Sequence, residues 1–143
     1  MRQDTVEHSR TSRDSGTRKP VWRSVPQPPQ LSVKVCLRVV RGEGDAFGPG
    51  KAQLLASLIE TGSLNRSASA MKMSCVKALA LVRAMNAHFA EPLVVLSRGG
   101  RDGGGTQVTA AGRKVLAAYQ EMRVASRAAA QPGWWKLRRS LRG

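Results

Sequence analysis

Alternating apolar and polar positions begin near Leu31 and predict the first elements of the chain. Apolar residues at every second position predict a half-buried strand over 33–40, which the glycine-containing stretch 41–45 ends. Apolar residues then recur at helical spacing after Pro49, a residue that suits a first helical position, and predict a helix over about 49–61. The pattern therefore changes from strand to helix close to Pro49.

Capping residues delimit the next two helices. Gly62 suits the left-handed end of the first helix, and the hydroxyl of Ser63 can accept a free amide at the start of a short second helix over about 64–71. Ser74 repeats this capping pattern for a third helix that runs to about Ala90. Two helices joined by a short turn, the second of them longer, have the spacing of a helix-turn-helix.

A β-hairpin and a fourth helix follow. The apolar run 93–96 predicts a short buried strand, the basic glycine-rich stretch 97–105 predicts a flexible tip, and 106–108 predicts a return strand. Thr109 can cap a fourth helix, whose apolar stripe continues to Ala125. The order strand, three helices, hairpin and helix predicts a mainly α fold with a small β-hairpin, a winged helix-turn-helix.

Composition divides the chain into three predicted regions. Residues 1–30 are rich in Ser, Thr, Arg and Pro without apolar periodicity, which predicts a disordered basic leader. Residues 31–124 hold the winged helix-turn-helix pattern. Residues 125–143 form a basic tail with Trp134-Trp135, which can stack on nucleic acid, anchor at an anionic membrane surface or fold back on the domain. Partial docking of this tail on the domain is the simplest of these interpretations.

The net charge of the chain is strongly positive. The 143 residues include 24 Lys and Arg against 9 Asp and Glu, a formal charge of +15 with a pI near 11.5. The leader contributes +3, the domain +7 and the tail +5, so nearly half of the excess lies in the predicted domain. Such an excess attracts nucleic acid or an anionic membrane. No apolar run is long enough to span a bilayer, and no targeting segment is recognisable, so we expect a cytoplasmic protein without a membrane partner.

The predicted third helix has two different faces. At about 100° per residue, Ala78, Val82 and Met85 lie on one side. The other side carries Arg83 among small or apolar residues, and the helix contains no acidic residue. A solvated face is usually rich in Glu and Lys, whereas an acid-free face fits a helix laid against DNA. An ordinary three-helix cluster is the alternative, and the acid-free face together with the basic hairpin favours DNA binding.

Several side chains near the predicted turns, third helix and hairpin have suitable chemistry for DNA. Val76 and Leu79 can pack on thymine methyl groups, and Arg83 can reach a phosphate or a guanine. The full set of predicted DNA-binding residues is Ser63, Arg66, Ser74, Cys75, Val76, Lys77, Leu79, Arg83, Arg98, Arg101 and Thr106.

The glycine-rich segment from Gly99 to Thr106 does not have the pattern of a nucleotide-binding loop. Neither Lys-Ser nor Lys-Thr follows the glycines, and a short strand comes next instead of a helix. As the wing of the fold, this segment would bring Arg98 and Arg101 to backbone phosphates or the minor groove. A flexible hairpin in solvent is the alternative.

The sequence offers no support for catalysis, a metal site or a cofactor. The acidic residues are scattered, and no nucleophile has a neighbouring histidine. Cys36 and Cys75 lack metal-ligand spacing, and we expect both to be reduced. Cys75 at a helix start is a conceivable redox sensor, although a small residue tolerated at an interface is the simpler interpretation. His88 is expected to be a packed or surface histidine.

Short segments spread over residues 31–124 carry a family resemblance. They include Gly42-Glu43-Gly44, Phe47-Gly48-Pro49-Gly50-Lys51, Thr61-Gly62-Ser63, Met73-Ser74, Met85-Asn86, Pro92-Leu93-Val94, Gly99-Gly100, Gly103-Gly104-Gly105 and Ala111-Gly112-Arg113. With these segments the chain resembles the DNA-binding domain of the molybdate-responsive ModE regulators and, more distantly, the winged helices of LysR-type regulators. The glycine-rich wing is the most specific element of the resemblance.

The resemblance implies a homodimeric transcriptional regulator that binds a palindromic operator through the third helix and the wing. Cys75 and Leu79 stand where the family usually has Tyr and Trp, so the operator preference is expected to differ. ModE proteins commonly carry molybdate-binding domains with a Ser-Ala-Arg-Asn-like motif after the winged helix. Only 19 residues follow Val124, and none resembles that motif. We therefore expect no direct molybdate sensing by this chain.

These observations lead to three hypotheses. The first is a sequence-specific regulator that binds double-stranded DNA as a homodimer, which pairs through its first and fourth helices. The second is a module without sequence-specific DNA binding that acts in trans with an effector-binding partner protein, such as a molybdate-binding protein. The third is a general coating protein for nucleic acid, which would bind RNA and DNA equally.

Overall fold

The computed structural model describes residues 30–98 and 105–142. These residues form four helices and two antiparallel strand pairs, β1 with β2 and β3 with β4. The predicted fold class, a mainly α winged helix-turn-helix with a small β-hairpin, is confirmed. In chain order the elements are β1 (Val39–Arg41), β2 (Gly44–Phe47), α1 (Pro49–Thr61), α2 (Leu64–Ala70), α3 (Cys75–His88), β3 (Val94–Leu96), β4 (Thr106–Val108) and α4 (Ala110–Arg138).

The strand predicted over 33–40 is wrong, because most of this segment has no pairing partner. Residues 30–38 form neither helix nor strand, and β1 begins only at Val39. The stretch 41–45, predicted to end a strand, instead turns the chain into β2. Gly42 adopts φ 62°, a left-handed conformation that glycine tolerates at such a turn. The alternation from Val33 to Leu37 nevertheless indicated sidedness correctly, since its odd-numbered members are half-buried and the others exposed.

The helix bounds follow the capping residues closely. Pro49 begins α1, and Gly62 ends it with φ 62°. Three hydroxyls cap the later helices, each by accepting the backbone amide of the residue three positions ahead. They belong to Ser63 at the start of α2, Ser74 at the start of α3 and Thr109 at the start of α4. The capping residues thus predicted where these helices begin, because each cap bond depends only on residues close in sequence.

One hydrophobic core joins the elements. Phe47 packs edge-on against Tyr119, with 5.2 Å between ring centroids, and against Phe89, with 6.0 Å. Burial raises the pKa of Tyr119. Its hydroxyl donates to the Leu37 carbonyl at 2.9 Å and so ties the segment before β1 to α4. The buried apolar residues of the core cluster are Phe47, Ala52, Leu54, Leu55, Leu58, Ala68, Ala78, Val82, Met85, Leu93, Val94, Val108, Leu116 and Tyr119.

Helix α4 is longer than the core that it packs on. Its buried residues are Gly112, Leu116 and Tyr119, all in its first half. The helix then continues with 19 more residues to Arg138, through the segment predicted as a tail and past Pro132. The alanine-rich sequence favours helix here. Pro132 has no amide to donate to the carbonyl four residues earlier, so one helical hydrogen bond is missing, but the helix continues. Across residues 30–98 and 105–142, no helix combines the length and the apolar character needed to cross a bilayer.

Candidate nucleic-acid interface

The turn between α1 and α2 is fixed by a hydroxyl network. The Thr61 hydroxyl donates to the Ser57 carbonyl at 2.9 Å and lies 2.9 Å from the hydroxyl of Ser67, which is fully buried. The Ser63 amide donates back to Thr61 Oγ1 at 3.2 Å, and the Ser63 hydroxyl accepts the Arg66 amide at 3.3 Å. Buried hydroxyls that are hydrogen-bonded in this way fix one geometry, so the turn sets the angle at which α2 leaves α1.

The turn between α2 and α3 has a different construction. Lys72 adopts φ 54° and is the one non-glycine residue with positive φ among the described residues. Its amide donates to the Ser69 carbonyl at 3.1 Å, and the Met73 amide donates to the Ala68 carbonyl at 3.0 Å. These two bonds define a Schellman helix end with Lys72 at the left-handed position. The Cys75 thiol also donates to Asn65 Oδ1, which links α3 to α2.

The two faces of α3 have the burial that their spacing predicted. Ala78, Val82 and Met85 are buried in the core. On the opposite side Val76 is 79% exposed, and Arg83 is exposed as well. We call this side, with Val76, Ala80, Arg83 and Ala87, the outer face of α3.

The predicted residues on α2 and α3 are accessible from solvent. Leu79 is half-buried, and Ser63 is half-buried at the start of α2. The Ser74 hydroxyl accepts the Lys77 amide at 3.1 Å and therefore caps α3. The exposed members of the set are Arg66, Ser74, Cys75, Val76, Lys77 and Arg83.

This surface is positively charged. No Asp or Glu occurs between Glu60 and Glu91, a stretch that contains all of α2 and α3. Within residues 30–98 and 105–142 the sole ion pair joins Arg38 to Asp45, and that carboxylate raises the pKa of the Arg38 guanidinium. The cations of α2 and α3 therefore have no acidic partner in the described structure and are available to phosphate.

The β3–β4 wing is anchored to both sides of the helix-turn-helix. Asn86 on α3 donates to the Val94 carbonyl at 2.8 Å and accepts the Leu93 amide at 2.9 Å. At the other end, the Thr106 amide donates to the Gly62 carbonyl at 3.3 Å. The wing strands thus have a fixed position next to α3 and to the α1–α2 turn.

Close packing at the base of the wing requires a glycine. A Cβ added to Gly112 would lie 2.4 Å from the Leu93 carbonyl oxygen and 2.8 Å from Val108. The Thr109 hydroxyl donates to the Pro92 carbonyl at 2.7 Å while it accepts the Gly112 amide at 3.0 Å. Gly112 therefore lets α4 begin directly against the strand that precedes the wing tip.

The predicted wing residues have three different outcomes. Arg98 is exposed just beyond β3. Arg101 lies outside the described residues. Thr106 is 8% exposed within β4, so its side chain belongs to the packed base of the wing and does not share the outer surface with the other candidates. The reason is the alternation along β4, which places Thr106 on the same buried face as Val108.

Sequence reasoning missed Lys72, Thr61 and Asn86. Lys72 gave no signal, because nothing in the residue type marks a left-handed conformation. Thr61 preceded the predicted Gly62 helix end, and a hydroxyl beside such an end is a signal of local side-chain hydrogen bonding. Asn86 interrupts an apolar helix, where a half-buried amide indicates a partner on another element.

The thiols and His88 complete the candidate chemistry that the sequence offered. Cys36 and Cys75 are free thiols. His88 is half-buried, a Cβ added to Gly44 would lie 3.5 Å from its ring, and its carbonyl accepts a hydrogen bond from Arg41 at 3.0 Å. Among residues 30–98 and 105–142 no group of three or more His, Cys, Asp or Glu residues is placed to hold a metal ion.

Comparison with known proteins finds relatives that share part of the chain. It is 38% identical over 81 residues both to the molybdenum transport protein ModE of Azotobacter vinelandii and to the molybdenum-pterin-binding protein MopB of Rhodobacter capsulatus. It is 34% identical over 71 residues to the transcriptional regulator ModE of Haemophilus influenzae. No protein-family model matches the chain.

The matched segment is a limited part of these relatives. It covers 57% of this chain but 30% of the A. vinelandii and R. capsulatus proteins, and 50% of this chain but 28% of the H. influenzae protein. None of the three names denotes an enzyme, and one denotes a regulator of transcription. The resemblance that the sequence predicted is confirmed: over about half of its length, this chain is similar to ModE-type regulators.

Proposed function

We propose that this chain is a transcriptional regulator of the ModE type that binds duplex DNA sequence-specifically through α3 and the β3–β4 wing. The acid-free outer face of α3 carries the proposal. It exposes Val76 and Arg83 in a helix-turn-helix whose cations have no acidic partners in the described structure. An exposed helix of this composition suits the major groove, where apolar side chains meet thymine methyl groups and arginine meets guanine or phosphate. A regulator of this kind fits the predicted cytoplasmic location.

The DNA-binding residues have distinct roles in this proposal. Val76 and Arg83 contact base edges or phosphates from the outer face, and Lys77 contacts phosphate near the start of α3. Arg66 on α2 contacts the backbone that flanks the groove, as the first helix of such a motif commonly does. Arg98 and Arg101 contact phosphates or the minor groove from the wing.

Selection of bound sequences from a random duplex pool tests the proposal. A sequence-specific regulator enriches a defined motif, and a homodimer enriches a palindrome with half-sites about one helical turn apart. Arg83→Ala should weaken binding to the selected duplex, whereas Arg127→Ala, which alters another exposed arginine on α4, should have a smaller effect. Absence of any enriched motif at moderate salt would refute sequence-specific regulation.

Dimerisation through α4 is part of the proposal. The apolar residues of α1 are used by the core, with Leu54, Leu55 and Leu58 all buried, so α1 has no surplus stripe. The second half of α4 does have one, because Val124 is 71% exposed and Trp135 is 55% exposed on a helix about 43 Å long. Exposed apolar residues on a helix that extends beyond its domain favour pairing with a second copy.

Light scattering coupled to gel filtration tests the dimer. We expect a dimer for the unaltered chain and a shift toward monomer for Val124→Lys, because a charge at this position opposes burial. Glu121→Lys adds positive charge in the same region without altering an apolar residue and serves as the control. A monomer for the unaltered chain at high micromolar concentration would contradict this part of the proposal.

The same experiments separate the alternative function. A module that acts with a molybdate-binding partner in trans would give no enriched duplex and would require that partner for a DNA complex. A general coating protein would bind single-stranded RNA and duplex DNA with equal affinity. Competition of the two polymers for the unaltered chain distinguishes this outcome from sequence-specific binding.

A further inference from the structure

Two helix ends in the same motif use the left-handed conformation, but with different residues. Gly62 has φ 62° after α1, and Lys72 has φ 54° after α2. Glycine is the usual residue at this position because it has no Cβ to clash with the backbone. An L side chain there shifts the folding equilibrium toward the unfolded chain by roughly five- to thirtyfold, part of which the greater unfolded-state freedom of glycine offsets.

No contact in the described structure compensates for this conformation. Lys72 is exposed, and its ammonium forms no ion pair among residues 30–98 and 105–142. The two Schellman hydrogen bonds are made by backbone atoms and would be equally available to glycine. Folding stability therefore does not explain why a lysine occupies this position.

The position of Lys72 indicates another reason. It lies in the turn of the helix-turn-helix, two residues before Ser74, which caps α3. In such a motif the elements that flank the major-groove helix lie along the phosphate backbone. Strained backbone positions with no folding benefit are found preferentially at functional sites.

We propose that Lys72 is a DNA phosphate contact, and that its cation is kept in the turn at the expense of the more stable glycine. This inference rests on the proposed DNA-binding function and adds a residue to it. It implies that stability and DNA affinity respond in opposite directions to the same substitution. A residue with a purely structural role would change stability without an opposite change in DNA affinity.

The test combines four variants with two measurements. Lys72→Gly removes both the strain and the charge, Lys72→Gln removes the charge alone, and Lys72→Arg keeps both. Lys136→Gln removes an exposed charge far along α4 and is the control. The melting temperature is measured for each, together with the dissociation constant for a random-sequence duplex and for the selected duplex between about 50 and 200 mM salt.

We expect Lys72→Gly to raise Tm by about 4 °C and to weaken binding to both duplexes about five- to tenfold. The slope of log affinity against log salt should fall by about 0.9 for each chain bound. Lys72→Gln should weaken binding equally without the gain in Tm, and Lys72→Arg and Lys136→Gln should change affinity less than twofold or so. Equal loss on both duplexes is expected because a phosphate contact carries no sequence information.

Other results would overturn the inference in identifiable ways. Unchanged affinity and salt slope in Lys72→Gly, with tight binding by the unaltered chain, would refute the contact and leave the proposed function intact. Failure of Lys72→Gly to raise Tm would remove the strain on which the inference depends. No binding of the unaltered chain to either duplex would refute the proposed function itself and the inference with it.

Discussion

The two faces of α3 have similar composition and opposite environments. Val82 and Met85 are at most 1% exposed, whereas Val76, on the same helix, is 79% exposed. Apolar character alone does not separate the faces, but position around the helix does. Packing therefore constrains the inner residues, while the outer residues are free of that constraint and available to a partner.

The outer face also lacks what a solvated helix usually has. Exposed helices commonly pair acidic and basic residues four positions apart, which stabilises the helix and keeps it soluble. Helix α3 has no acidic residue, and its exposed arginine has no ion pair in the described structure. Substitutions that affect one face and spare the other therefore test whether the two faces have separate roles.

The largest expected effect is on the inner face. Val82→Ala should lower the free energy of unfolding by about 2 kcal/mol, because two buried methyl groups are lost and a cavity remains. Urea unfolding measures this change. The m value should stay constant if the fold is unaltered. A loss of less than about 0.5 kcal/mol would show that the inner face is not packed as described.

The next effect concerns the adjacent residue on the other face. Arg83→Ala should leave the free energy of unfolding within about 0.5 kcal/mol of the original, because the side chain is exposed and unpaired in the described structure. Affinity for the selected duplex should fall about tenfold or more, as the loss of one charged contact to a base or phosphate implies. Titration of labelled duplex measures it. Unchanged affinity would remove Arg83 from the interface.

Much of the helical framework was predictable because its signals are local. The starts of α1, α2, α3 and α4 follow from Pro49, Ser63, Ser74 and Thr109, whose effects depend on residues within one turn. The inner and outer faces of α3 follow from its periodicity. For the candidate site, this made the exposure of the α3 residues predictable, although their contacts with DNA stay a prediction.

The parts that depend on partners distant in sequence were not predictable in the same way. The alternation before Val39 indicated a strand, but a strand requires a pairing partner and only Val39–Arg41 has one. Helix α4 continues through Pro132 into the segment that composition predicted as a tail. Burial of Thr106 depends on which face of β4 packs on the core, and nothing in the residue type marks Lys72 as left-handed.

The residue that caps α3 should affect both properties. Ser74→Ala removes the hydroxyl that accepts the Lys77 amide at the start of α3. The free energy of unfolding should fall by about 1 kcal/mol, as for other helix caps, and DNA affinity should fall modestly because the first turn of α3 frays. Ser74→Asp restores a cap but adds a negative charge, so it should recover stability and weaken DNA binding further. Equal recovery of both properties would contradict a phosphate near this end of α3.

The smallest expected change in stability separates the faces most directly. Val76→Ala is chemically the same substitution as Val82→Ala, on the same helix, at an exposed position. Because alanine has the higher helix propensity and no buried contact is lost, the free energy of unfolding should rise by a few tenths of a kcal/mol, about 0.5 kcal/mol at most. If Val76 packs on a thymine methyl group, affinity for the selected duplex should fall several-fold while affinity for a random duplex stays the same. Urea unfolding and competition between the two duplexes measure these quantities. A loss of stability comparable to that of Val82→Ala would mean that the outer face is covered in the folded chain. An equal loss of affinity for both duplexes would mean that Val76 does not contribute to sequence discrimination.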